Sequence, residues 1–196
     1  MILHDAVKKL HDVANGMGTE DGDLVYISKP ENHICQFCSG SCLQVCFGGR
    51  VAEIASTEPF CAKMRLENLY DAPLKSPKTK AAAAGALTAV AGFLMLVRKL
   101  GPCPTVNYED CLEELTTSLS GKNVYILGRD IPGIKQVLLL EDADVVLVTG
   151  NALLSDDLLA EIDEAIQLEK ELLFLGPSCA GVAALLGKKS WCPYGT

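Results

Sequence analysis

Four cysteines lie within twelve residues, in the stretch 35–46 with the sequence CQFCSGSCLQVC, and a fifth follows in the sequence PFCAK. Cys35, Cys38 and Cys42 have the spacing C-x2-C-x3-C, and Cys61 comes after eighteen further residues. Thiolates at this spacing in a tight turn can bind one iron or zinc ion, and a distant fourth thiolate completes a four-sulfur set. The spacing therefore predicts a metal centre with these four cysteines as ligands.

Two other interpretations of the cysteine stretch are open. The first is a disulfide framework, but the chain has nine cysteines, an odd number, and its N-terminus has no apolar signal region. Secretion is therefore disfavoured, and a reducing cytoplasm favours metal ligation over disulfides. The second is one stripe of a helix, since positions 35, 38, 42 and 46 recur at helical spacing. Gly40 and the pair Gly48–Gly49 are poor interior helix residues, so we favour metal ligation.

Four further cysteines keep open roles. Cys46 lies in the run LQVCF, which is typical of a strand, and is either a ligand or a small core residue. Cys103 and Cys192 are isolated beside prolines and aromatic residues, where each could be a ligand or a packing residue. Cys179 follows Ser178 at the start of a short predicted helix, whose free N–H groups could bind an anion or lower the pKa of the thiol.

Composition excludes some classes of function. The chain carries 25 acidic and 17 basic residues, a formal net charge of -8, so its overall charge repels phosphate backbones and we expect no nucleic-acid partner. At 49% hydrophobic residues, it can bury a substantial core. We expect a cytoplasmic protein.

The pattern of elements predicts an α/β fold: a small cysteine-rich α+β N-terminal part followed by a Rossmann-like parallel-sheet domain. We divide the chain into a cysteine-rich, cluster-binding region at 1–75, a helical connection at 76–120 and a Rossmann-like domain at 121–196. In the first region we predict a helix over 3–14, a strand in DLVYIS, and a hairpin arm in GGRVAEIAS with Val51 and Ile54 as its apolar positions. The segment that follows Cys61, MRLENLYDAPLKSPKTK, is predicted as a surface connection.

The C-terminal half has the more regular pattern. Three apolar runs, NVYILG, DVVLVTG and ELLFLG, each end in glycine, and an acidic amphipathic helix capped by Ser155 separates the second from the third. Apolar strands that alternate with helices predict a parallel sheet covered on both faces. Ligands of such sheets gather at the carboxyl ends of the strands, although a glycine there also simply lets the chain turn.

One segment raises the question of a membrane. Residues 81–97, AAAAGALTAVAGFLMLV, carry no charge, and seventeen residues are at the lower limit for a membrane span. Ala81, Gly85 and Ala89 fall on one helix face and suit close packing inside a protein. We therefore expect a buried core helix and no membrane partner. After this segment, GPCPT is predicted to break the helix. Asn107 is predicted to cap the helix that follows.

The stretch CQFCSGSCLQVCFGGRVAEIASTEPFCAK resembles the N-terminal iron–sulfur segment of molybdopterin-dependent oxidoreductases. The likeness consists of the C-x2-C-x3-C spacing, then a strand, then the sequence GRVAEI, and finally a last cysteine followed by Ala-Lys. The gap to Cys61 is most similar to that in the catalytic subunit of formylmethanofuran dehydrogenase. The resemblance implies a 4Fe–4S cluster held by Cys35, Cys38, Cys42 and Cys61. The rest of the chain departs from these enzymes, which need several hundred more residues to enclose the pterin.

The C-terminal half resembles a different group, the Rossmann-like heavy-metal chelation family of anaerobic bacteria and archaea. The matching motifs are GKNVYILG, EDADVVLVTGNALL and LLFLGPS. This resemblance implies a ligand pocket lined by six residues: Thr149, Gly150, Asn151, Gly176, Pro177 and Ser178.

Three functions follow as hypotheses. The leading one is an iron–sulfur or metal-binding protein of anaerobic metabolism that acts in electron transfer or metal handling, with a 4Fe–4S cluster or, alternatively, a single zinc or iron ion. The second is a reduced relative or accessory subunit of a molybdopterin oxidoreductase, which implies a redox partner protein or a larger oxidoreductase subunit; an oligomer also fits. The third is a thiol redox sensor in which Cys35 and Cys38 cycle as a dithiol.

Overall fold

A computed structural model of the chain describes residues 1–20 and 22–196, which form two four-stranded sheets with helices packed between and beside them. The strands are β1 Leu24–Ser28, β2 Ser41–Phe47, β3 Arg50–Ser56, β4 Ala62–Arg65, β5 Val124–Leu127, β6 Val145–Val148, β7 Glu171–Leu175 and β8 Lys189–Trp191. The helices are α1 Ile2–Ala14, α2 Glu67–Tyr70, α3 Pro77–Phe93, α4 Tyr108–Ser118, α5 Asp156–Gln167 and α6 Pro177–Leu185. The expected fold class, an α+β part followed by a Rossmann-like parallel sheet, is confirmed.

The N-terminal sheet is antiparallel with the order β3-β2-β1-β4. Strands β2 and β3 form a hairpin whose turn consists of Gly48 and Gly49, with φ of +54° and +79°. Two consecutive positive φ angles are the geometry of the tight hairpin turn that favours glycine. The predicted hairpin arm is present, but its buried face carries Ala52 and Ile54, whereas Val51 is 40% exposed. Alternation along the strand puts Val51 on the opposite face from Ile54.

The C-terminal sheet is parallel with the order β5-β6-β7-β8. The three predicted strands are present, and all four residues of β6 are buried, as expected for a strand covered on both faces. Helix α5 connects β6 to β7, and its N-terminal cap is Ser155, whose Oγ accepts a hydrogen bond from the Leu158 N–H at 3.5 Å. Asn107 precedes α4 as predicted but makes no side-chain capping bond.

Helix α3 packs between the N-terminal sheet and α6, and α6 in turn packs against β7 and β8. The N-terminus of α3 has a capping box in which Ser76 and Thr79 exchange side-chain to backbone hydrogen bonds, and every residue from Lys80 to Gly92 is buried against β2, β3 and α6. A helix that is apolar on all faces is typical of a protein core. The helix ends at Phe93 rather than continuing to Val97, so the predicted extent was too long. Among the described residues, no helix is both long and apolar enough to cross a membrane.

The segment predicted as a surface connection after Cys61 contains regular structure. It contains the second half of β4, which pairs with β1, the short helix α2 and the first turn of α3. Strand β4 was missed because its residues, AKMR, are mostly exposed and lack an apolar alternation. Strand β8 was missed because it has three residues and none of them is fully buried.

Candidate thiol site at the carboxyl edge of the parallel sheet

The loop between β1 and β2 carries the C-x2-C pair across the carboxyl edge of the parallel sheet. Both thiols are buried, with Cys35 at 5% and Cys38 at 1% exposure. A Cβ atom on Gly176, which follows β7, would lie 2.7 Å from the sulfur of Cys35, and one on Gly150, after β6, would lie 3.0 Å from the sulfur of Cys38. The absence of side chains at these two glycines therefore makes the space that the thiols occupy.

Hydrogen bonds hold this loop against the sheet. The Cys38 N–H donates to the Cys35 carbonyl oxygen at 2.9 Å, which closes a tight turn. The side chain of Asn151 pairs with the backbone of Ser39: its Oδ1 accepts from the Ser39 N–H at 2.8 Å and its Nδ2 donates to the Ser39 carbonyl at 3.0 Å. The guanidinium of Arg129 donates to the Cys38 carbonyl oxygen. Two strand-end loops of the parallel sheet thus fix the position of the C-x2-C turn.

The residues of the predicted ligand pocket lie at this same edge. Thr149 is fully buried, and its hydroxyl donates to the Leu127 carbonyl at 3.2 Å and accepts from the Arg129 N–H at 3.1 Å. Pro177 and Ser178 are buried at the start of α6. The structure therefore brings the six pocket residues and the Cys35–Cys38 pair together, which joins two predictions made from separate parts of the chain.

The two thiols differ in their affinity for a proton. A hydrogen bond from Cys35 lowers the pKa of Cys38 against the opposing effect of burial, and the Gly150 N–H, the Ser178 hydroxyl and the charge of Arg129 lower it further. The same hydrogen bond, together with burial, raises the pKa of Cys35 well above its usual value. Cys38 is therefore the more acidic thiol of the pair, and the hydrogen bond from Cys35 favours its thiolate form.

The other two predicted ligands lie on the N-terminal sheet. Cys42 is in β2 opposite Ala55, and burial together with the charge of Glu53 raises its pKa to about 11. Cys61 immediately precedes β4 and is exposed. Within residues 1–20 and 22–196, no three His, Cys, Asp or Glu side chains are close enough to hold one metal ion. The four-cysteine ligand set stays a prediction. Of its members, Cys35 and Cys38 are brought together by the structure.

Three cysteines outside the predicted four-ligand set influence one another; a ligand or packing role was open for Cys103 and Cys192, and no role was predicted for Cys111. Burial raises the pKa of all three thiols, and the neighbouring thiols add to this effect for Cys103 and Cys192. They come from three distant segments, so no short spacing in the sequence could have grouped them.

Cys179 does not have the character expected from its place at the start of a helix. It is fully buried, its sulfur lies 3.6 Å from the Val148 carbonyl oxygen, and burial raises its pKa well above the usual value. Desolvation outweighs the helix N-terminus here, so the suggested lowering of its pKa is wrong and Cys179 is a core thiol.

Ser178 connects the start of α6 to the N-terminal sheet at the site. Its Oγ accepts a hydrogen bond from the Ala55 N–H of β3 at 3.0 Å and lies 4.0 Å from the Cys38 sulfur.

We expect Ser178→Ala to lower the free energy of unfolding by about 1–3 kcal/mol, because the buried Ala55 N–H loses its acceptor. Chemical denaturation checks this value. Ser28→Ala is the matched control, since the Ser28 hydroxyl bonds to Gln44 at an exposed position and should change stability by less than about 0.5 kcal/mol; equal effects would contradict the connection.

Comparisons with known proteins identify no family for this chain. No protein-family model matches the sequence, and no curated protein sequence matches it significantly. Among solved structures, it is similar to a protein with unknown function from the DUF364 family of Pyrococcus horikoshii, with a TM-score of 0.48 and 12% sequence identity. The similarity covers 92% of this chain and 80% of that one.

Proposed function

We propose that this protein binds a thiophilic metal through the thiolates of Cys35 and Cys38, and that it acts in electron transfer or metal handling. The observation that carries the proposal is the position of the two thiols. The Cys38 sulfur lies against Gly150, which follows β6, and the Cys35 sulfur lies against Gly176, which follows β7. Open α/β sheets bind their ligands at this edge, and sulfur donors select zinc, iron, iron–sulfur clusters or Cu(I).

The surroundings of the pair support this proposal. The Gly150 N–H, the Ser178 hydroxyl and Arg129 all favour the thiolate of Cys38, and hydrogen bonds to ligand sulfurs are a normal part of metal–thiolate sites. The Arg129 and Asn151 contacts to the loop hold the Cys35–Cys38 turn in place. An ion bound at this edge would be ligated by two sulfurs on a turn that these hydrogen bonds hold in place.

The nature of the metal centre is a finer question. Cys35 and Cys38 fit the first two positions of a cysteine-ligated centre, and such a centre would supply either one-electron chemistry or a bound zinc ion. Cys42 and Cys61, the predicted third and fourth ligands of a 4Fe–4S cluster, lie on the N-terminal sheet, apart from this pair. Two thiolates from the C-x2-C turn are therefore the ligand set that we propose on structural grounds. A redox partner protein or a larger oxidoreductase subunit would be the acceptor in an electron-transfer role.

Metal binding to this pair should depend on pH. Cys35 has a raised pKa and is protonated at neutral pH, so the metal must displace a proton before this ligand can bind. We expect zinc affinity measured with a chromophoric competitor to rise steadily from pH 6 to pH 8, with protons released into a weakly buffered solution. Affinity that stays constant over this range would show that Cys35 is not a ligand.

A dithiol function is the second candidate, because the pair combines one thiol of lowered pKa with one of raised pKa. An external disulfide would accept two electrons from the pair, leaving a Cys35–Cys38 disulfide and two reduced external thiols. Thiol titration distinguishes the candidates. Reversible loss of two thiols on treatment with oxidised dithiothreitol, in protein that binds no metal, would favour the dithiol; metal binding that blocks this loss favours the metal site.

A further inference from the structure

The loop between β1 and β2 lies across the carboxyl ends of three strands of the parallel sheet. We call residues 32–39 of this loop the strap. The sulfurs of Cys35 and Cys38 lie against the glycines that follow β7 and β6, respectively. The Cys38 carbonyl oxygen accepts a hydrogen bond from Arg129, in the turn after β5. The strap therefore fills the edge at which open α/β sheets bind their ligands.

The two ends of the strap are held by different parts of the molecule. Near its start, the Ile34 carbonyl accepts from the Tyr108 hydroxyl at 2.7 Å, and Gln36 Nε2 donates to the Tyr108 carbonyl at 2.8 Å. At its end, the Asn151 side chain makes two hydrogen bonds to the backbone of Ser39, one as acceptor and one as donor. The first pair of bonds ties the strap to α4, and the second pair ties it to the loop after β6.

The buried side chains of the strap pack apart from the main core. Cys35, Phe37 and Cys38 are at most 5% exposed and belong to a smaller core cluster on the parallel sheet. The larger cluster includes the buried residues of α1 and much of α3, together with Cys179. The strap can therefore open while the larger cluster stays intact, which is the kind of local opening that native proteins undergo.

Access to the two thiols requires such an opening. At 5% and 1% exposure, Cys35 and Cys38 present almost no surface to a dissolved ion or reagent. The hydrogen bonds between Asn151 and Ser39 lie at the exposed surface, where water replaces them when the strap moves away. An amide carries no charge, so its removal leaves the charge around the sulfurs unchanged. Asn151 is therefore placed to control the opening of the strap without changing the chemistry of the thiols.

We propose that the strap is a gate over the Cys35–Cys38 pair, and that Asn151 is the positioning residue that keeps it closed. A metal ion or a thiol reagent reaches the two sulfurs only after the hydrogen bonds from Asn151 to Ser39 have broken. The rate at which the pair takes up or releases a ligand is then set by how often the strap opens. The consequence for metal exchange rests on the proposed function of the pair, whereas the gate itself is a property of the metal-free protein.

Labelling of the reduced, metal-free protein with N-ethylmaleimide, read for each cysteine by mass spectrometry of its peptides, measures this opening. Cys61 is exposed and gives the rate for an accessible thiol, whereas the fully buried Cys179 gives the rate for global unfolding. We expect Cys35 and Cys38 to label at rates between these two. Low concentrations of urea should accelerate Cys179 steeply but the pair only slightly, because a local opening exposes less surface than global unfolding.

The substitution Asn151→Ala should accelerate labelling of Cys35 and Cys38 by roughly 5–100-fold, because it removes two hydrogen bonds of the closed strap. The matched control is Asn123→Ala, since Asn123 is exposed and precedes β5 at the opposite edge of the same sheet. Labelling of the pair should be unchanged in this control.

Two results would overturn the proposal. The first is labelling of Cys35 and Cys38 at the rate and with the urea dependence of Cys179, which would mean that only global unfolding exposes them. The second is labelling of the pair at the wild-type rate in Asn151→Ala. Circular dichroism confirms that each variant is folded; Asn151→Asp, which keeps the acceptor but loses the donor, replaces the alanine variant if that one is unfolded. Protection of the pair by added zinc tests the metal site separately, so the gate and the metal site fail or succeed independently.

Discussion

The Cys35→Ser/Cys38→Ser protein should lose the thiophilic metal that the wild-type protein binds at the carboxyl edge of the parallel sheet. Loss of an outer-shell partner alone typically lowers metal affinity by roughly 10–100-fold, so we expect removal of both sulfur ligands to lower zinc affinity by more than about 100-fold. Serine preserves the size of each side chain, and the hydrogen bonds of the loop to Asn151 and Arg129 are made by its backbone. Isothermal titration with zinc, under anaerobic conditions, measures the effect.

Cys46→Ser is the matched control for this prediction. Cys46 belongs to the same cysteine-rich stretch, but it is half-buried in β2, opposite Val51 and away from the parallel sheet. Zinc affinity should be unchanged in this variant. Undiminished zinc affinity in the Cys35→Ser/Cys38→Ser protein would show that the pair is not the binding site. The single variants Cys42→Ser and Cys61→Ser then report whether the two other predicted ligands contribute.

The second large effect is expected at Gly181, where α3 and α6 are in close contact. A Cβ atom there would lie 2.5 Å from the Thr88 backbone nitrogen and 2.6 Å from the Leu87 carbonyl carbon. The Gly181 N–H also donates to the Thr88 hydroxyl at 3.2 Å. Alanine normally stabilises a helix by about 1 kcal/mol relative to glycine. Here we expect Gly181→Ala to lower the free energy of unfolding by about 1–3 kcal/mol, because backbone atoms cannot move aside as a side chain can.

Ala184→Val is the control for this prediction, since Ala184 is in the same helix but borders a cavity of about 330 Å³. Its added methyl groups have room, so the free energy of unfolding should change by less than about 1 kcal/mol. Denaturant unfolding with an unchanged slope provides both values. A Gly181→Ala protein as stable as the wild type would contradict the close approach of the two helices.

The regular elements could be predicted because each has a local pattern. Strands β5, β6 and β7 are short apolar runs that end in glycine, and α5 has an apolar stripe and a serine cap, so type and position follow from neighbouring residues. Strands β4 and β8 lack this pattern because most of their side chains are exposed. Pairing with β1 and β7, which is a tertiary effect, makes them strands.

The site was predictable only in pieces. The C-x2-C spacing pointed to Cys35 and Cys38, and the glycine-ended strands pointed to the carboxyl edge of the parallel sheet. No local pattern indicates that the C-x2-C turn lies on this edge, because their contact depends on the packing of α3 and α6 between the two sheets.

Metal analysis of protein purified without oxygen tests the central claim most directly. Iron, zinc and acid-labile sulfide should be determined together with protein concentration, for the wild type and for Cys35→Ser/Cys38→Ser in parallel. We predict iron or zinc bound in a constant ratio to wild-type protein, X-ray absorption showing sulfur ligands at about 2.3 Å if the metal is zinc, and loss of that metal from the variant. A colourless wild-type protein that contains neither iron nor zinc would contradict the proposed function.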